Sequence, residues 1–310
     1  MDSSTIYDKV TEHYSAASKG TSPQYSETIA KSFGYSEVEL ANVPEGANLG
    51  LSCGNPLAIT SLREGETVID LGSGAGFDIF LASPKIGPTG RAIGVDMNDD
   101  MLARASKIKA SKGAPADNIT FIKGHITDIP LDAKIADCII SNCVINLVPA
   151  AEKHLVFKEM HRLLKPGGRV AVSDILAKKE LPAKLRDDMA MYVGCIAGTS
   201  LVVEYEKWLQ EAGFDDVLIT DTKSDLNVYL DTLDDGTNKT SCCGDKAKGC
   251  TPADTSKETV CCDTKPDCCA PAGAGCSVVS GTGVDTPSKT LGTTDLNEFV
   301  GSYKIYAVRK

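Results

Sequence analysis

The stretch that decides the fold runs from Val68 to Asp78 and reads V-I-D-L-G-S-G-A-G-F-D. An apolar run ending in a carboxylate, Asp70, leads into a glycine turn, and the residues after the turn read as the start of a helix. The glycines of the turn are Gly72, Gly74 and Gly76. In an α/β sheet, ligands lie beyond the carboxyl ends of the strands. The stretch therefore predicts a nucleoside-binding strand, turn and helix.

A second carboxylate supports a nucleoside ligand. Asp96 follows the next apolar run, residues 92–95. An acidic residue about 20 positions after the glycine turn can accept hydrogen bonds from ribose hydroxyls. We therefore predict that Asp96 binds a ribose.

The residues around the glycines indicate which nucleoside is bound. A dinucleotide site needs a further glycine for its pyrophosphate, and Phe77 stands at that position. Asp70 would repel phosphates and attract an ammonium group. S-adenosylmethionine has a ribose and an ammonium but no phosphate, so we predict it in preference to a nicotinamide or flavin cofactor. The alternative, a turn that only closes a βα unit, is disfavoured by Asp70 and Asp96 together.

Composition sets the broad class. The chain has 310 residues, 42% of them apolar, which is enough for one large α/β domain with an appendage. Its formal charge of -10 and pI near 5.0 argue against a nucleic-acid partner. We find no apolar signal segment and no run near the length of a membrane span, so we expect a cytoplasmic protein without a membrane partner. The twelve cysteines are then expected to be reduced thiols.

Seven β-rich runs recur at the spacing of βα units. They cover residues 67–71, 91–97, 119–125, 136–142, 169–175, 215–222 and 301–308. A helix with Leu155, Val156, Met160, Leu163 and Leu164 on one face is expected between the fourth and fifth runs. The pattern predicts an α/β fold with a doubly wound, mostly parallel, seven-stranded Rossmann-like sheet.

Four segments are expected along the chain. Residues 1–60 form an N-terminal helical cap, and residues 61–230 form the cofactor-binding core. Residues 231–297 are rich in Gly, Pro, Thr, Asp, Lys and Cys, which predicts an irregular, mobile insertion between the last two strands. Residues 298–310 supply the final strand.

Four cysteines lie in the core region. Cys53 lies in a polar, glycine-rich loop before the first strand, where a core-filling role is unusual. Cys195 lies between small residues after the fifth strand, and a site residue and a buried hydrophobe are both consistent with this position. Cys138 is expected to fill the core, whereas Cys143 ends the fourth strand near the cofactor.

The other eight cysteines fall between Cys242 and Cys276 and include the pair Cys242 and Cys243. They contain no C-x-x-C spacing, which gives little support for structural zinc. Adjacent thiols suit a soft, thiophilic centre better. The alternative is a set of incidental thiols.

Five segments together resemble the arsenite S-adenosylmethionine methyltransferases. They are residues 44–56, 70–78, 94–97, 141–147 and 192–195. The glycine motif is generic to methyltransferases, whereas the sequences around Cys53 and Cys195 are specific to the family. The resemblance covers roughly residues 7–222 and the last strand.

The resemblance implies two sets of site residues. The set expected to bind S-adenosylmethionine is Tyr14, Asp70, Gly72, Gly74, Gly76, Asp96, Met97, Ile126, Thr127, Asn142 and Cys143. Three catalytic thiolates are expected to bind As(III): Cys53, Cys195 and either Cys242 or Cys243. The chain departs from the family in having Thr127 where an acidic residue is common, and in lacking a cysteine before residue 53.

The implied reaction is methylation of arsenite and then of methylarsonous species, as part of arsenic detoxification. The arsenic lone pair carries no proton, so no general base is needed. A thiol reductant, thioredoxin or glutathione, would restore trivalent arsenic. Because thiolates are the ligands, activity is expected to rise with pH around a pKa of about 8.5 or below.

Two alternatives remain open from the sequence. A small-molecule C-methyltransferase of the quinone or sterol type would share the fold but would not explain Cys53 and Cys195. A thiol-rich protein that sequesters metalloids would use the Rossmann-like part only as a scaffold.

Overall fold

The computed structural model describes residues 2–186, 188–231 and 295–310. A seven-stranded sheet lies at its centre. The strands are β1 Thr67–Leu71, β2 Arg91–Asp96, β3 Ile119–Lys123, β4 Ala136–Asn142, β5 Leu164–Ala177, β6 Phe214–Asp221 and β7 Val300–Arg309. Each of the seven predicted runs is a strand, so the predicted fold class is confirmed.

The sheet has the strand order β3-β2-β1-β4-β5-β7-β6. The first five strands in this order run parallel, and β7 lies antiparallel between β5 and β6. Asp70 on β1 lies opposite Gly94 on one side and Ile140 on the other. The strand order reverses between the parallel neighbours β1 and β4, and a ligand crevice is expected at the carboxyl ends of these strands.

Helices cover both faces of the sheet and its ligand-binding edge. They are α1 Ser3–Ala17, α2 Pro23–Ser32, α3 Glu37–Asn42, α4 Phe77–Ile86, α5 Asp99–Lys112, α6 Lys153–Leu163, α7 Ala183–Arg186, α8 Met189–Val193, α9 Val202–Ala212 and α10 Val228–Asp231. Short 3₁₀ turns cover Pro56–Ile59, Ala114–Ala116, Ile145–Leu147 and Leu296–Glu298. None of the described helices has the length and apolar character needed to cross a bilayer.

The helix predicted before the fifth strand is α6. Val156, Met160 and Leu163 are fully buried on its inner face, as predicted, and pack in the core on one side of the sheet. Leu164 was expected in the same helix but instead begins β5. Leu164 pairs with Ala136 of β4, where its backbone gains ladder hydrogen bonds that a helix end would lack.

An arginine of α5 holds the N-terminal cap against the sheet. Arg104 donates from Nη1 to the carbonyl oxygen of Ser18 at 2.6 Å and from Nε to that of Gly46 at 2.7 Å. Ser18 follows α1, and Gly46 lies in the loop after α3. One side chain therefore fastens two parts of the cap.

The segments before and after the Cys-rich stretch lie together. Asn227 donates to Asp295 at 2.8 Å, and Asn297 donates to Asp225 at 2.6 Å. Residues 232–294, which include Cys242 and Cys243, lie outside the described residues. The hydrogen bonds bring the two flanks of this stretch to one place beside the sheet.

We expect Arg104→Met to loosen the cap without unfolding the sheet. Two charge-assisted hydrogen bonds are lost, so amide exchange in α1 should become roughly 5- to 30-fold faster, the equivalent of about 1 to 2 kcal/mol. Hydrogen exchange followed by mass spectrometry measures the effect. Arg91→Met, at an exposed position on β2, is the matched control, and equal exchange in the two variants would contradict the assignment.

Candidate active site

A cavity opens where the glycine turn, α1 and the loops after β2 and β4 meet. It lies at the carboxyl ends of β1, β2 and β4, as the strand order predicts. Most residues predicted to bind the cofactor line it: Tyr14, Asp70, Gly72, Gly74, Asp96, Met97, Ile126, Asn142 and Cys143.

Gly76 and Thr127 were predicted to contact the cofactor but do not line the cavity. Gly76 precedes α4 at φ +90°, and a Cβ there would lie 2.9 Å from the rings of Phe80 and Phe121. Its small size is needed for helix packing. Thr127 hydrogen-bonds the side chain of Tyr7, which does line the cavity.

The glycine turn brings the backbone close to the ligand position and anchors Asp96. Gly72 has φ +70°, and a Cβ there would lie 2.4 Å from Val144, so another side chain does not fit. The Gly74 N–H donates to one carboxylate oxygen of Asp96 at 2.8 Å, and the Asn98 N–H donates to the other at 2.9 Å. The remaining lone pairs of Asp96 are available to a ligand.

Acidic side chains give the cavity a preference for cations. Asp70 is 3% exposed, and no described residue donates a hydrogen bond to its carboxylate. Burial raises the pKa of Asp70 well above its usual range, and the charges of Asp78 and Asp96 raise it further. Burial also raises the pKa of Asp78, to about 6, although hydrogen bonds from Tyr35 and Asn142 oppose this shift. A bound cation would relieve the repulsion among these groups.

A hydrogen-bond network joins this acidic wall to the Cys53 loop. Tyr35 donates to Asp78 at 2.6 Å, and the Asn142 amide donates to the other Asp78 oxygen at 3.0 Å. The same amide donates to the Gly54 carbonyl at 2.9 Å, and its oxygen accepts from the Cys53 N–H at 3.2 Å. We did not predict a role for Tyr35 or Asp78. The sequence did contain a signal for Asp78, because it is an aspartate within the otherwise apolar start of α4.

Cys53 and Cys143 are joined by a disulfide bond. This corrects the expectation that both are reduced thiols; Cys143 nevertheless lines the cavity where a cofactor contact was predicted. The loop before β1 and the end of β4 are neighbours, and the two Cα atoms lie 5.9 Å apart, within the usual range for a disulfide. Cys138 and Cys195 are free thiols, and Cys138 fills the core as predicted.

Cys195 lies beside the disulfide. Its Sγ donates to the Cys143 carbonyl oxygen at 2.9 Å, and the Tyr14 hydroxyl lies 3.7 Å from the same sulfur. Cys143 and Cys195 have φ of 61° and 64°, a conformation that costs energy for a residue other than glycine. Backbone strain at both thiols is typical of a functional site.

The ionisation expected for the thiols is wrong for Cys195. Burial, with a further contribution from the charge of Asp174, raises the pKa of Cys195 to about 12. The free enzyme therefore holds this sulfur as a thiol near neutral pH. Activity that rises with the ionisation of a thiol near pH 8.5 is not expected from this residue.

A buried polar cluster holds the Cys195 loop in place. The Asn146 amide donates to the Cys195 carbonyl oxygen at 3.2 Å, and the Lys153 ammonium donates to the Gly198 carbonyl. A Cβ at Gly198 would lie 2.0 Å from the Asn146 carbonyl oxygen, so the loop needs glycine there. The Cys195 thiol is thus positioned by contacts far apart in sequence.

Comparison with known proteins identifies a methyltransferase domain. Residues 62–213 match the model of a methyltransferase domain. Over 209 residues the chain is 44% identical to an arsenite methyltransferase of Halobacterium salinarum, a match that covers 64% of this chain and 52% of that protein. The chain contains a methyltransferase domain and is similar to the family of arsenite methyltransferases.

A human member of the family is more distant. The arsenite methyltransferase of Homo sapiens is 34% identical over 183 residues, covering 56% of this chain and 48% of the human protein. The chain spans about half the length of the curated relatives it matches. By position, the methyltransferase domain includes the glycine turn, Cys143 and Cys195.

A solved structure agrees on the fold of the family. An arsenic(III) S-adenosylmethionine methyltransferase from Chlamydomonas reinhardtii superimposes with a TM-score of 0.54 at 22% identity. The match covers 93% of this chain and 74% of that one.

The cavity fits S-adenosylmethionine. The Asp70 carboxylate, which accepts no hydrogen bond within the part of the chain that the structure describes, would pair with the ammonium group, while Asp96 would accept the ribose hydroxyls. Met97 and Ile126 offer apolar surface for the adenine ring. Together these groups match the cationic, ribose-bearing and aromatic parts of this one molecule.

We expect S-adenosylmethionine to bind more weakly at pH 5.5 than at pH 8. The pKa of Asp78 is about 6 and that of Asp70 is raised well above its usual range, so both carboxyls carry more protons at pH 5.5 than at pH 8, and a neutral carboxyl does not attract the ammonium. Isothermal titration calorimetry at the two pH values measures the difference.

Asp70→Asn should weaken binding roughly tenfold at pH 8 and remove most of the pH dependence. Asp100→Asn, at an exposed position on α5, is the control. Equal affinity of the unchanged protein at both pH values would contradict the assignment.

Proposed function

We propose that this protein transfers methyl groups from S-adenosylmethionine to trivalent arsenic held by cysteine thiols. The observation that carries the proposal is that Cys143 lines the cavity that fits the methyl donor, is bonded to Cys53, and accepts at its carbonyl oxygen a hydrogen bond from the Cys195 thiol. Trivalent arsenic is soft and forms three bonds to thiolates. We assign the reaction to arsenic detoxification.

Cys143 takes the place that the sequence suggested for Cys242 or Cys243. Once the disulfide is reduced, Cys143 presents a thiol between Cys53 and Cys195, and it lines the cavity. In this proposal Cys53, Cys143 and Cys195 bind one arsenic atom without a ligand from residues 232–294.

Methyl transfer needs no proton acceptor at the arsenic. The lone pair of As(III) attacks the methyl carbon, the carbon–sulfur bond breaks, and its electron pair returns to sulfur to give a neutral thioether. The protein's part is to hold the arsenic through three sulfurs so that its lone pair lies in line with the carbon–sulfur bond that breaks. Orientation of this kind is equivalent to an effective concentration of roughly 10⁵ to 10⁸ M in favourable cases.

The disulfide between Cys53 and Cys143 is consistent with the redox step that must follow. After transfer, arsenic is formally pentavalent and cationic. Two of its thiolates can leave as a disulfide, which returns two electrons to arsenic, while water supplies hydroxide to the vacated position and releases a proton. An external thiol, from thioredoxin or glutathione, must then reduce the disulfide before another cycle.

The flanks of the Cys-rich stretch lie close to this disulfide. Tyr229 of α10 donates to the Ser52 carbonyl at 2.7 Å, and Ser302 of β7 donates to the Cys53 carbonyl at 2.7 Å. Both contacts are made to the loop that carries Cys53. This placement supports a role for the cysteines of residues 232–294 as a relay between the external thiol and the disulfide.

We expect Cys53→Ser, Cys143→Ser and Cys195→Ser each to abolish formation of dimethylated arsenic while S-adenosylmethionine still binds. Loss of one thiolate leaves arsenic misplaced and interrupts the redox cycle, so the rate should fall at least roughly 100-fold. The measurement is incubation of reduced protein with arsenite, S-adenosylmethionine and glutathione, with products separated by chromatography and detected as arsenic by mass spectrometry.

Cys138→Ala is the matched control, because Cys138 is a buried core thiol outside the cavity. Full activity in any one of the three serine variants would remove that cysteine from the site. If the unchanged protein binds arsenite but not the methyl donor, sequestration explains the chain better. If the unchanged protein binds the donor but not arsenite, a C-methyltransferase explains the chain better.

We expect deletion of residues 244–276 to slow multiple turnover with thioredoxin but to leave a single turnover of pre-reduced protein unchanged. The relay would act only when the disulfide is reduced between cycles. Comparing the multiple-turnover and single-turnover rates by the same product assay separates reduction of the disulfide from methyl transfer. Equal multiple-turnover rates with and without residues 244–276 would rule out the relay.

A further inference from the structure

A buried carboxylate, Asp174, lies against the cysteines of the site. One of its oxygens and the sulfurs of Cys53 and Cys143 lie within 4.8 Å of one another. Asp174 belongs to β5, where Val172 and Leu176 on the same face pack in the core. It therefore stands where the strand pattern calls for an apolar residue, and burying a carboxylate there is costly.

The hydrogen bonds favour the ionised form of Asp174. One carboxylate oxygen accepts from the Asn146 amide at 2.8 Å and from the Ile175 N–H at 2.9 Å, and the other accepts from the Tyr205 hydroxyl at 2.8 Å. Burial opposes them and raises the pKa of Asp174 to about 7, so the carboxylate is charged at higher pH. Lys153, 2% exposed, is the buried cation that faces this cluster.

This charge is unfavourable for the free thiols. A negative group beside three cysteines opposes the formation of thiolates and of the anionic states that precede arsenic binding. A valine or leucine would fill the same position without that cost. The carboxylate must therefore be useful at another stage of the reaction.

The reaction moves a positive charge toward Asp174. Before transfer the charge lies on the sulfonium of the methyl donor. As the carbon–sulfur bond breaks and the arsenic–carbon bond forms, the sulfur becomes neutral and the arsenic, bound to three thiolates, becomes cationic. The cation thus forms among the sulfurs that Asp174 faces.

We propose that Asp174 stabilises the positive charge that develops on arsenic during methyl transfer. The inference rests on the proposed function. A fixed charge in a dry site acts without reorganisation, and its effect is greatest for a charge that appears in the transition state. Asn146, Tyr205 and the Ile175 N–H hold the carboxylate in position for this role.

The test is a single turnover of the full-length, pre-reduced protein, with enzyme in excess over arsenite. Asp174→Asn keeps the shape of the side chain: its oxygen can accept from Ile175 and Asn146, and its amide can donate to the Tyr205 hydroxyl. The maximal rate of methylarsenic formation should fall roughly 10- to 100-fold. The concentrations of arsenite and S-adenosylmethionine that give half the maximal rate should stay within about twofold.

Tyr205→Phe is the comparison that separates charge from structure. It removes one hydrogen bond that lowers the pKa of Asp174, so both variants are compared at pH 9, above the pKa of about 7 of this carboxyl; there the carboxylate stays charged and the maximal rate should fall no more than about threefold. If Tyr205→Phe and Asp174→Asn slow the reaction equally, the role of Asp174 is structural and the inference is wrong. Equal rates for Asp174→Asn and the unchanged protein would also overturn it.

A second pair of variants covers the case in which Asp174→Asn leaves Lys153 uncompensated and the protein does not fold. Lys153→Met and the double variant Lys153→Met with Asp174→Asn lack the same contact to Gly198 and differ only at residue 174. The double variant should be slower by the same roughly 10- to 100-fold. Equal rates in this pair would overturn the inference.

Failure of the proposed function gives a different result. If the unchanged protein forms no methylarsenic although both ligands bind, the proposed reaction and this inference both fall. If the unchanged protein forms methylarsenic and the residue 174 variants match their controls, the inference alone falls.

Discussion

The side chain of Asn142 connects the two halves of the site. Its amide donates to Asp78, beside the methyl-donor cavity, and to the Gly54 carbonyl in the Cys53 loop. Its oxygen accepts from the Cys53 N–H. Methyl transfer requires donor and acceptor to be aligned to within a fraction of an ångström. Asn142 ends β4, next to β1 in the sheet, so the strand pairing sets both positions at once. A rotation of this one amide would move the Cys53 loop relative to the donor.

In the proposed reaction, the charges of the site follow the path of the transferred methyl group. Asp70, Asp78 and Asp96 surround the place of the donor, where the reaction begins with a sulfonium cation. Asp174 lies beside the sulfurs, where it ends with a cation on arsenic. Because burial removes water from both ends, these fixed charges interact with the reacting atoms far more strongly than they would in solvent. The site therefore favours cations along its whole length.

The sheet and the donor cavity could be predicted from the sequence because their signals are local. Apolar runs gave the strands, and the glycine turn with Asp70 and Asp96 marked the cavity. The pairing of Cys53 with Cys143 could not be predicted in this way: the two lie 90 residues apart, and their contact depends on β4 being the neighbour of β1. The raised pKa of Cys195 depends on burial by α1 and the Cys143 loop. Asp174 did leave a signal, an acid within the apolar run of β5.

The two strained cysteines show how the fold keeps its thiols in place. A left-handed conformation at a residue other than glycine costs about 1 to 3 kcal/mol and persists where the surroundings fix it. The Cys143 N–H is fixed by the Ser173 carbonyl at 2.9 Å, and the Cys195 carbonyl by Asn146 at 3.2 Å. Glycine would adopt both conformations without strain, so the backbone alone does not explain cysteine at either position. The side chain does, because each strained residue turns its sulfur toward the other cysteines. Serine has the same backbone preferences as cysteine, and a serine variant therefore removes the sulfur while keeping the strain.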